Sequence, residues 1–180
     1  FVIPYLLEAE KDIFVNFYKQ ETLSKYFRCY QGELNMTTHR KYFSDVPDDY
    51  MVLKGAQIQR YHFLTDRMSQ GKIEYVKSEK YLSDFHTPKS RHYKRERIVM
   101  QGITGVNESI RLKATYIPGG YFCAHSCNYL LPLSDDFLYL FWPVLALINS
   151  RLFNWVYKKT STNSNVNSYE IENLTIPDNR

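Results

Sequence analysis

Most of the chain between residues 27 and 124 consists of short apolar or alternating runs that are separated by turn residues. Residues 72–76 alternate between apolar and polar side chains, which is the pattern of a strand with one buried face. Pro118, Gly119 and Gly120 form a turn signal between two further runs. The strand-like runs cover residues 30–35, 51–55, 58–63, 72–76, 97–101, 110–117 and 121–124. This pattern predicts a β-rich body.

Apolar residues recur at helical spacing near both ends of the chain. Residues 5–26 carry one such pattern, and a second helix is predicted to follow Pro143, a residue that fits a first helical turn. Its apolar stripe is Leu145, Ile148, Leu152 and Trp155, and Lys158 and Lys159 lie near its negative C-terminal end. We therefore expect an α+β fold, a β-rich domain with a long helix near each end.

The size and composition indicate an ordinary globular chain. It has 180 residues, of which 44% are hydrophobic and 23% charged, enough to bury one core. Because it begins at Phe1 and not at methionine, we expect a piece of a longer polypeptide. The longest apolar run, 137–148, is too short to span a bilayer, and no signal peptide precedes it. We expect a soluble, cytoplasmic protein without a membrane partner.

Positive charge is concentrated in one stretch. Five basic residues lie between positions 89 and 97 beside one acid, Glu96, and this excess of four equals the net charge of +4 of the whole chain. The basic residues are Lys89, Arg91, Lys94, Arg95 and Arg97. Such a patch suits contacts with phosphate groups at one place. A solvated loop or strand edge is the alternative interpretation.

The cysteines do not indicate a disulfide framework, because there are three of them. Cys123, His125 and Cys127 would share one face of an extended segment, as zinc ligands or as an ordinary buried strand face. A structural zinc site needs a fourth ligand and usually two cysteine pairs. We therefore favour buried thiols and expect no metal site.

Signatures of catalytic chemistry are missing from the sequence. The prolines are never adjacent, so the Asn-Pro-Pro-Tyr type of loop used by amino-methyltransferases does not occur. The glycines form no phosphate cradle, and no Gly-x-Ser-x-Gly elbow is present. The acidic pairs are isolated, whereas a nuclease needs clustered carboxylates for Mg²⁺. We expect no catalytic residue and no cofactor in this chain.

Seven short segments, in the same order, are similar to the TaqI-like C-terminal specificity domain of N6-adenine methyltransferases and of fused restriction-methylation enzymes. They are residues 31–37 (QGELNMT), 53–61 (LKGAQIQRY), 97–103 (RIVMQGI), 111–115 (RLKAT), 127–129 (CNY), 147–152 (LINSRL) and 174–177 (LTIP). The likeness runs from about residue 22 to Pro177. Residues 75–97, which hold the basic stretch, match nothing in the family's pattern. Each segment alone is weak evidence, and their order carries the resemblance.

The resemblance implies a DNA target-recognition domain, over residues 27–180, with residues 1–26 as a linking helix. A catalytic domain of the same polypeptide would bind S-adenosylmethionine, and Mg²⁺ if the parent also cleaves DNA, and would flip out the target adenine. The present domain would bind double-stranded DNA in a bacterial restriction-modification system. Cations would contact phosphates, and amide or guanidinium groups would read base edges.

The candidate site residues follow from these two roles. Phosphate-binding candidates are Lys54, Arg60, Lys89, Arg91 and Lys94, and base-reading candidates are Gln57, Gln59, Arg95 and Asn165. We assign structural roles to Gly32, which permits a tight backbone, and to Asn35, which can make an Asx-type bond. Asn149 lies on the apolar helical stripe and is expected to tie the helix to a neighbouring backbone. For Arg60 and Tyr61, DNA contact and bracing of the core edge both remain open.

Three alternatives remain. Half of a type I restriction specificity subunit would also bind DNA, but its coiled-coil spacers should show heptads, which are absent here. A nuclease domain is a different class, which lacks a clustered set of metal ligands in this sequence. A general protein-interaction module would leave the basic stretch unexplained.

Overall fold

A four-stranded antiparallel sheet, in the order β2-β9-β6-β7, lies at the centre of the computed structural model. The structure describes residues 6–47, 49–68 and 71–177. Register along the sheet pairs Cys29 with Leu130, and Ile98 with both Leu130 and Tyr116. The strands of this sheet are β2 (Phe27–Gln31), β6 (Arg97–Gln101), β7 (Ala114–Ile117) and β9 (Cys127–Pro132).

Two smaller sheets complete the β structure. One has four short strands in the order β3-β5-β4-β8, with β4 and β8 parallel. The other is a two-stranded pair between β1 and β10, which joins the two ends of the described chain. Their strands are β1 (Glu21–Thr22), β3 (Phe43–Ser44), β4 (Tyr50–Leu53), β5 (Tyr75–Val76), β8 (Phe122–Cys123) and β10 (Thr175–Ile176).

Helices cover one face of the central sheet, and the fold is therefore α+β. Since side chains alternate across a strand, Ile98 and Met100 of β6 pack with residues of the helices, whereas Val99 packs on the opposite side. That opposite face meets Leu53, Ile58 and Cys123 around the second sheet. The helices are α1 (Glu8–Tyr18), α2 (Ser78–Asp84), α3 (Phe141–Ile148), α4 (Arg151–Thr160) and α5 (Ser168–Glu172).

The first predicted helix is shorter than expected. It covers Glu8–Tyr18, whereas the pattern predicted residues 5–26, of which Tyr5 lies outside the described residues. The chain then forms β1, in which Glu21 and Thr22 pair with Ile176 and Thr175. The pairing partner is more than 150 residues away, so helical spacing within 5–26 could not reveal it.

The second predicted helix is two helices. Ser150 caps α4 by accepting a hydrogen bond from the backbone N–H of Phe153, and the axes bend by 70° at the break. Within the described residues, no single helix is long and apolar enough to cross a membrane. The bent pair 135–148 and 151–160 has the length and composition of a membrane span only when its two helices are taken together, and its buried apolar residues belong to the hydrophobic core. A serine cap explains the break, because its hydroxyl replaces a backbone partner at the helix start.

Several predicted strands are shorter than their patterns. Residues 58–63 form a tight turn with a single bridge between Ile58 and Phe63. Only residues 114–117 of the run 110–117 form a strand, because the N–H groups of Arg111 and Leu112 donate to the side chain of Asn154 and not to a neighbouring strand. Helices α2 and α5 are additions that the apolar spacing did not predict.

Candidate functional site

The basic residues between 89 and 97 do not form one continuous surface patch. Arg91 and Lys94 are exposed on a 3₁₀ segment, Pro88–Lys94, that leads into β6. Arg95 is also exposed, and its guanidinium lies 3.5 Å from a carboxylate oxygen of Asp135. Lys89 is partly buried; burial lowers its pKa, and the carboxylate of Glu33 acts in the opposite direction. The stretch therefore presents three exposed cations, Arg91, Lys94 and Arg95, and not five.

Arg97 is the largest departure from the predicted patch. It is the first residue of β6, faces inward, and has no exposed surface. Its guanidinium forms an ion pair with Glu33 and donates to the carbonyl oxygen of Tyr121. The second oxygen of Glu33 accepts a hydrogen bond from the backbone N–H of Cys123. This corrects the charge count of the patch, since Arg97 neutralises a buried carboxylate and cannot meet a phosphate group.

A group of histidines lies next to Lys89. The Nδ1 of His125 is 3.4 Å from the amide nitrogen of Asn35, and the Nδ1 of His39 accepts from the backbone N–H of Asn35. Burial lowers the pKa of both His39 and His125, and the charge of Lys89 lowers it further. The lowered pKa favours the neutral form of both imidazoles, in which one ring nitrogen can donate and the other can accept a hydrogen bond.

A polar cleft adjoins this group at one end of the central sheet. It has a volume of about 230 Å³, and its wall includes Gln31, His125, Asn128, Asn165 and Asn167. Asn165 is exposed, so its amide is free to face solvent across the cleft. The backbone of Asn165 bridges to Ile103, and this holds the 161–167 loop against the end of β6. Side-chain amides at a cleft are groups that can read the edges of bases.

Asn165 lines the cleft, and the charge of Lys89 acts on His125 in the wall of the same cleft. The sequence prediction included both residues but missed Gln31, His39 and His125. A pattern within the chain does not show that these three are neighbours, because they are contributed by separate segments. The sequence feature that comes nearest to indicating His125 is the Cys-x-His-x-Cys spacing of residues 123–127, which we interpreted as the buried face of a strand.

Two predicted DNA-contact residues are turned inward. Gln57 is fully buried, and its amide accepts from the backbone N–H of Lys54 and donates to the carbonyl oxygen of Leu64. The ammonium of Lys54 lies 2.6 Å from a carboxylate oxygen of Glu74, and its side chain is only 14% exposed. A base-reading role does not fit Gln57, since a buried amide with its groups already bonded cannot reach DNA. For Lys54, phosphate contact would compete with the ion pair.

Gln59 and Arg60 follow on the next turn. Gln59 is half-buried, and its amide nitrogen is 3.4 Å from the carbonyl oxygen of Ala56. Arg60 is exposed and donates to the carbonyl oxygen of Asn149 at 2.7 Å. Arg60 also lines a second cleft, on the helix side of the sheet. It thus braces the core edge while part of its guanidinium still faces solvent.

The residues with predicted structural roles make close backbone contacts. Gly32 packs so closely against the backbone of residues 123–124 that a Cβ atom at this position would lie 2.0 Å from the carbonyl oxygen of Ala124. The side-chain oxygen of Asn35 accepts from the backbone N–H groups of Thr37 and Thr38 at 2.9 and 3.0 Å. The amide of Asn149 bonds to both backbone groups of Ala114 in β7.

The thiols of Cys123 and Cys127 are buried between the two sheets, and Cys127 Sγ donates to the carbonyl oxygen of Leu53. His125 lies in the turn between them and points to Asn35 instead. Among the described residues, no group of three or more histidine, cysteine or acidic side chains could hold a metal ion. The arrangement of these two cysteines is that of a core face.

One comparison with known families gives a match. The sequence model of the TaqI-like C-terminal specificity domain matches residues 50–176. The matched segment includes β4, the 3₁₀ segment with Arg91 and Lys94, the central strands β6, β7 and β9, and the loop that carries Asn165. No curated protein matches the chain.

Proposed function

The chain belongs to the family of TaqI-like C-terminal specificity domains, the DNA-recognition domains of methyltransferases and restriction enzymes, and we propose that it selects the target site for an N6-adenine methyltransferase. The observation that carries the proposal is the match over residues 50–176, more than two thirds of the chain. The partner is double-stranded DNA, in the cytoplasm of a bacterium that has a restriction-modification system.

The proposed contacts divide into two kinds. Arg91 and Lys94, which are exposed, and Lys89, which is partly buried, supply charge for phosphate groups. Asn165 and the exposed Arg95 supply hydrogen-bonding groups for base edges, and Gln31 adds an amide at the same cleft. Phosphate contacts hold the register, and base contacts choose the sequence. A surface with few free cations fits a domain that works together with another DNA-binding surface.

We propose that catalysis belongs to another domain of the same polypeptide. That domain would bind S-adenosylmethionine, and Mg²⁺ if the enzyme also cleaves DNA, while this chain supplies no catalytic residue. Residues 1–26 would link the domains, and residues 27–180 would form the recognition domain. The exposed apolar side chains Leu7, Ile13 and Val15 of the first segment support a neighbouring domain on that side.

The test is binding of the chain to random duplex DNA across a salt series. A variant with Lys89→Ala, Arg91→Ala and Lys94→Ala is compared with a control, Lys11→Ala, Lys25→Ala and Arg28→Ala, which removes the same number of exposed or partly exposed charges elsewhere. We expect the slope of log affinity against log salt to fall by about 0.9 for each phosphate that the variant no longer binds, and the control to keep the original slope.

Equal slopes for the variant and its control would remove the Lys89–Lys94 segment from the interface. No binding by the unmodified chain, even at low salt, would contradict the proposal for this chain in isolation. The same titration on the full-length enzyme would then decide whether the catalytic domain is required.

A further inference from the structure

A second cleft lies on the helix side of the sheet, away from Asn165. It has a volume of about 800 Å³ and runs between α1, α4 and the turn that carries Arg60. The two clefts share no lining residue. Asn165 of the 161–167 loop lines the first, and the same loop accepts hydrogen bonds at Ser161 and Asn163 from Arg111, which follows Ile110 of the second. The charged and aromatic lining residues are Glu10, Arg60, Arg151, Trp155, Lys158 and Lys159.

Positive charge exceeds negative charge in this cleft. Glu10 is its one lining carboxylate, and it pairs with Lys159 at 2.9 Å. Among the described residues, no carboxylate lies within 4.0 Å of the charged groups of Arg60, Arg151 or Lys158. Arg151 and Lys158 are exposed and stand two helical turns apart on the face of α4 that includes Trp155. A concave surface with uncompensated cations attracts a polyanion.

Tyr61 stands beside this cleft in a disfavoured backbone conformation. Its φ is 66°, and it is the single non-glycine residue with positive φ in the part of the chain that the structure describes. The turn holds it there, because its N–H donates to the carbonyl oxygen of Ala114 at 2.8 Å and the N–H of Gln59 donates to the carbonyl oxygen of His62 at 2.9 Å. Glycine or asparagine suits such a position better than a bulky side chain.

Core packing does not account for the tyrosine ring. The side chain is 55% exposed, and the bracing contacts of this turn are made by the backbone and by the guanidinium of Arg60. That guanidinium lies 5.6 Å from the centre of the Tyr61 ring and also lines the cleft. Residues in disfavoured backbone conformations cluster at binding sites, and here the residue presents an exposed aromatic ring next to a cation.

We propose that this cleft and the Tyr61 ring form a second DNA contact, which rests on the proposed function. Arg151 and Lys158 bind phosphate groups of one strand, Arg60 adds a third cation, and Tyr61 packs against a deoxyribose next to them. Cations along a groove combined with an aromatic platform provide the chemistry that recognises a nucleic acid strand. The domain then contacts DNA at both clefts.

The charge of the cleft is tested with Arg151→Gln and Lys158→Gln together, in duplex titrations across a salt series with the whole chain. The matched control is Lys25→Gln with Arg28→Gln, which removes one exposed lysine and one exposed arginine that do not line the cleft. We expect the salt slope to fall by about 0.9 per phosphate contact, close to two in total, and the control to keep the slope of the unmodified chain.

The ring is tested with Tyr61→Asn and Tyr61→Phe. Asparagine tolerates positive φ, so we expect an unchanged or higher Tm together with about tenfold weaker DNA binding, whereas phenylalanine should keep both values. A lower Tm for Tyr61→Asn would make the ring a structural element, and unchanged affinity would make it irrelevant to DNA; either result overturns its role.

The outcomes separate the two proposals. If the unmodified chain binds duplex DNA but the cleft variants behave like their control, the cleft is not a DNA contact and the proposed function stands. If the Lys89–Lys94 variant and the cleft variant both lower the slope, DNA contacts both surfaces. If the unmodified chain and the full-length enzyme both fail to bind, both proposals fall.

Discussion

Two buried asparagines hold the end of the central sheet against the helices. Asn149 ends α3, and its amide bonds to the N–H and the carbonyl oxygen of Ala114 at 3.0 and 2.9 Å. Asn154, one turn into α4, accepts from the N–H groups of Arg111 and Leu112. These amides supply the partners that a neighbouring strand would supply, so the backbone of residues 111–114, which leads into β7, is bonded without another strand.

Replacing Asn149 by alanine tests this role. The buried N–H of Ala114 would be left without its partner, and a buried unsatisfied donor is costly, so we expect the free energy of unfolding to fall by about 3 kcal/mol. Urea denaturation measures the change, with the exposed Asn16→Ala expected to stay within about 0.5 kcal/mol of the original chain. A decrease no larger than that of Asn16→Ala would mean that water replaces the amide.

At the scale of elements, a buried ion pair connects β6 to the segment after β2. Arg97 and Glu33 are both buried, with their side-chain atoms fully out of contact with solvent. Glu33 also accepts from Cys123 in β8, and Arg97 lies with its guanidinium 4.5 Å from the ring centre of Tyr129 in β9. The pair thus fixes the second sheet on the first. Desolvation offsets much of the attraction within such a pair.

A double-mutant cycle with Glu33→Gln and Arg97→Met tests the pair. Each single change leaves one buried charge without its partner and should lower the free energy of unfolding by about 3–5 kcal/mol. The double change should cost clearly less than the sum of the single changes, as measured by denaturant unfolding. The exposed pair Glu21–Lys25 is the control, with a coupling expected below about 0.5 kcal/mol. Additive effects of Glu33→Gln and Arg97→Met would contradict direct pairing.

At the scale of the whole molecule, the packing of the 3₁₀ segment on the central sheet partly buries one imidazole next to the exposed cations of that segment. His92 comes from the 3₁₀ segment and bonds through Nδ1 to the hydroxyl of Tyr129 on the sheet beneath it at 3.0 Å. Burial, together with the nearby charges of Arg97, Arg95 and Lys89, lowers the pKa of this imidazole from 6.5 to about 4. Its protonation would add charge under a surface that is already positive.

The fold should therefore lose stability as the pH falls. The unfolded chain takes up a proton on His92 near pH 6.5, whereas the folded protein does so only near pH 4, so the unfolded state binds more protons between these values. The contribution of His92 is fully present above about pH 6.5 and disappears progressively down to about pH 4. Tm measured between about pH 7.5 and pH 4.5 should fall less steeply in His92→Gln than in the original chain.

The exposed His62→Gln is the matched control for this series and should follow the original chain. Carboxylates whose folded pKa is lowered, such as Glu74 and Asp84, also reduce stability in acid, so the difference between the two histidine variants is the informative quantity. Identical pH profiles for His92→Gln and His62→Gln would show that His92 is not held neutral by the fold.

Much of the architecture follows from local patterns along the chain. Alternation and turn residues predicted the α+β class, because strand and helix spacing are short-range properties. The position of Asn149 on an apolar stripe predicted its tie to a backbone, since a buried amide must find a partner. The order of seven short motifs predicted the family, which the match over residues 50–176 confirms.

Tertiary structure decided which polar residues reach the surface. Arg97 belongs to the same basic stretch as Arg91, yet it is buried because Glu33, 64 residues away, meets it inside the fold. Gln57 is two residues from Gln59, yet the turn of residues 55–64 encloses its amide. Gln31, His125 and Asn165 share a cleft although they are far apart in the chain. Burial and long-range pairing depend on distant residues, and a pattern in neighbouring positions does not contain them.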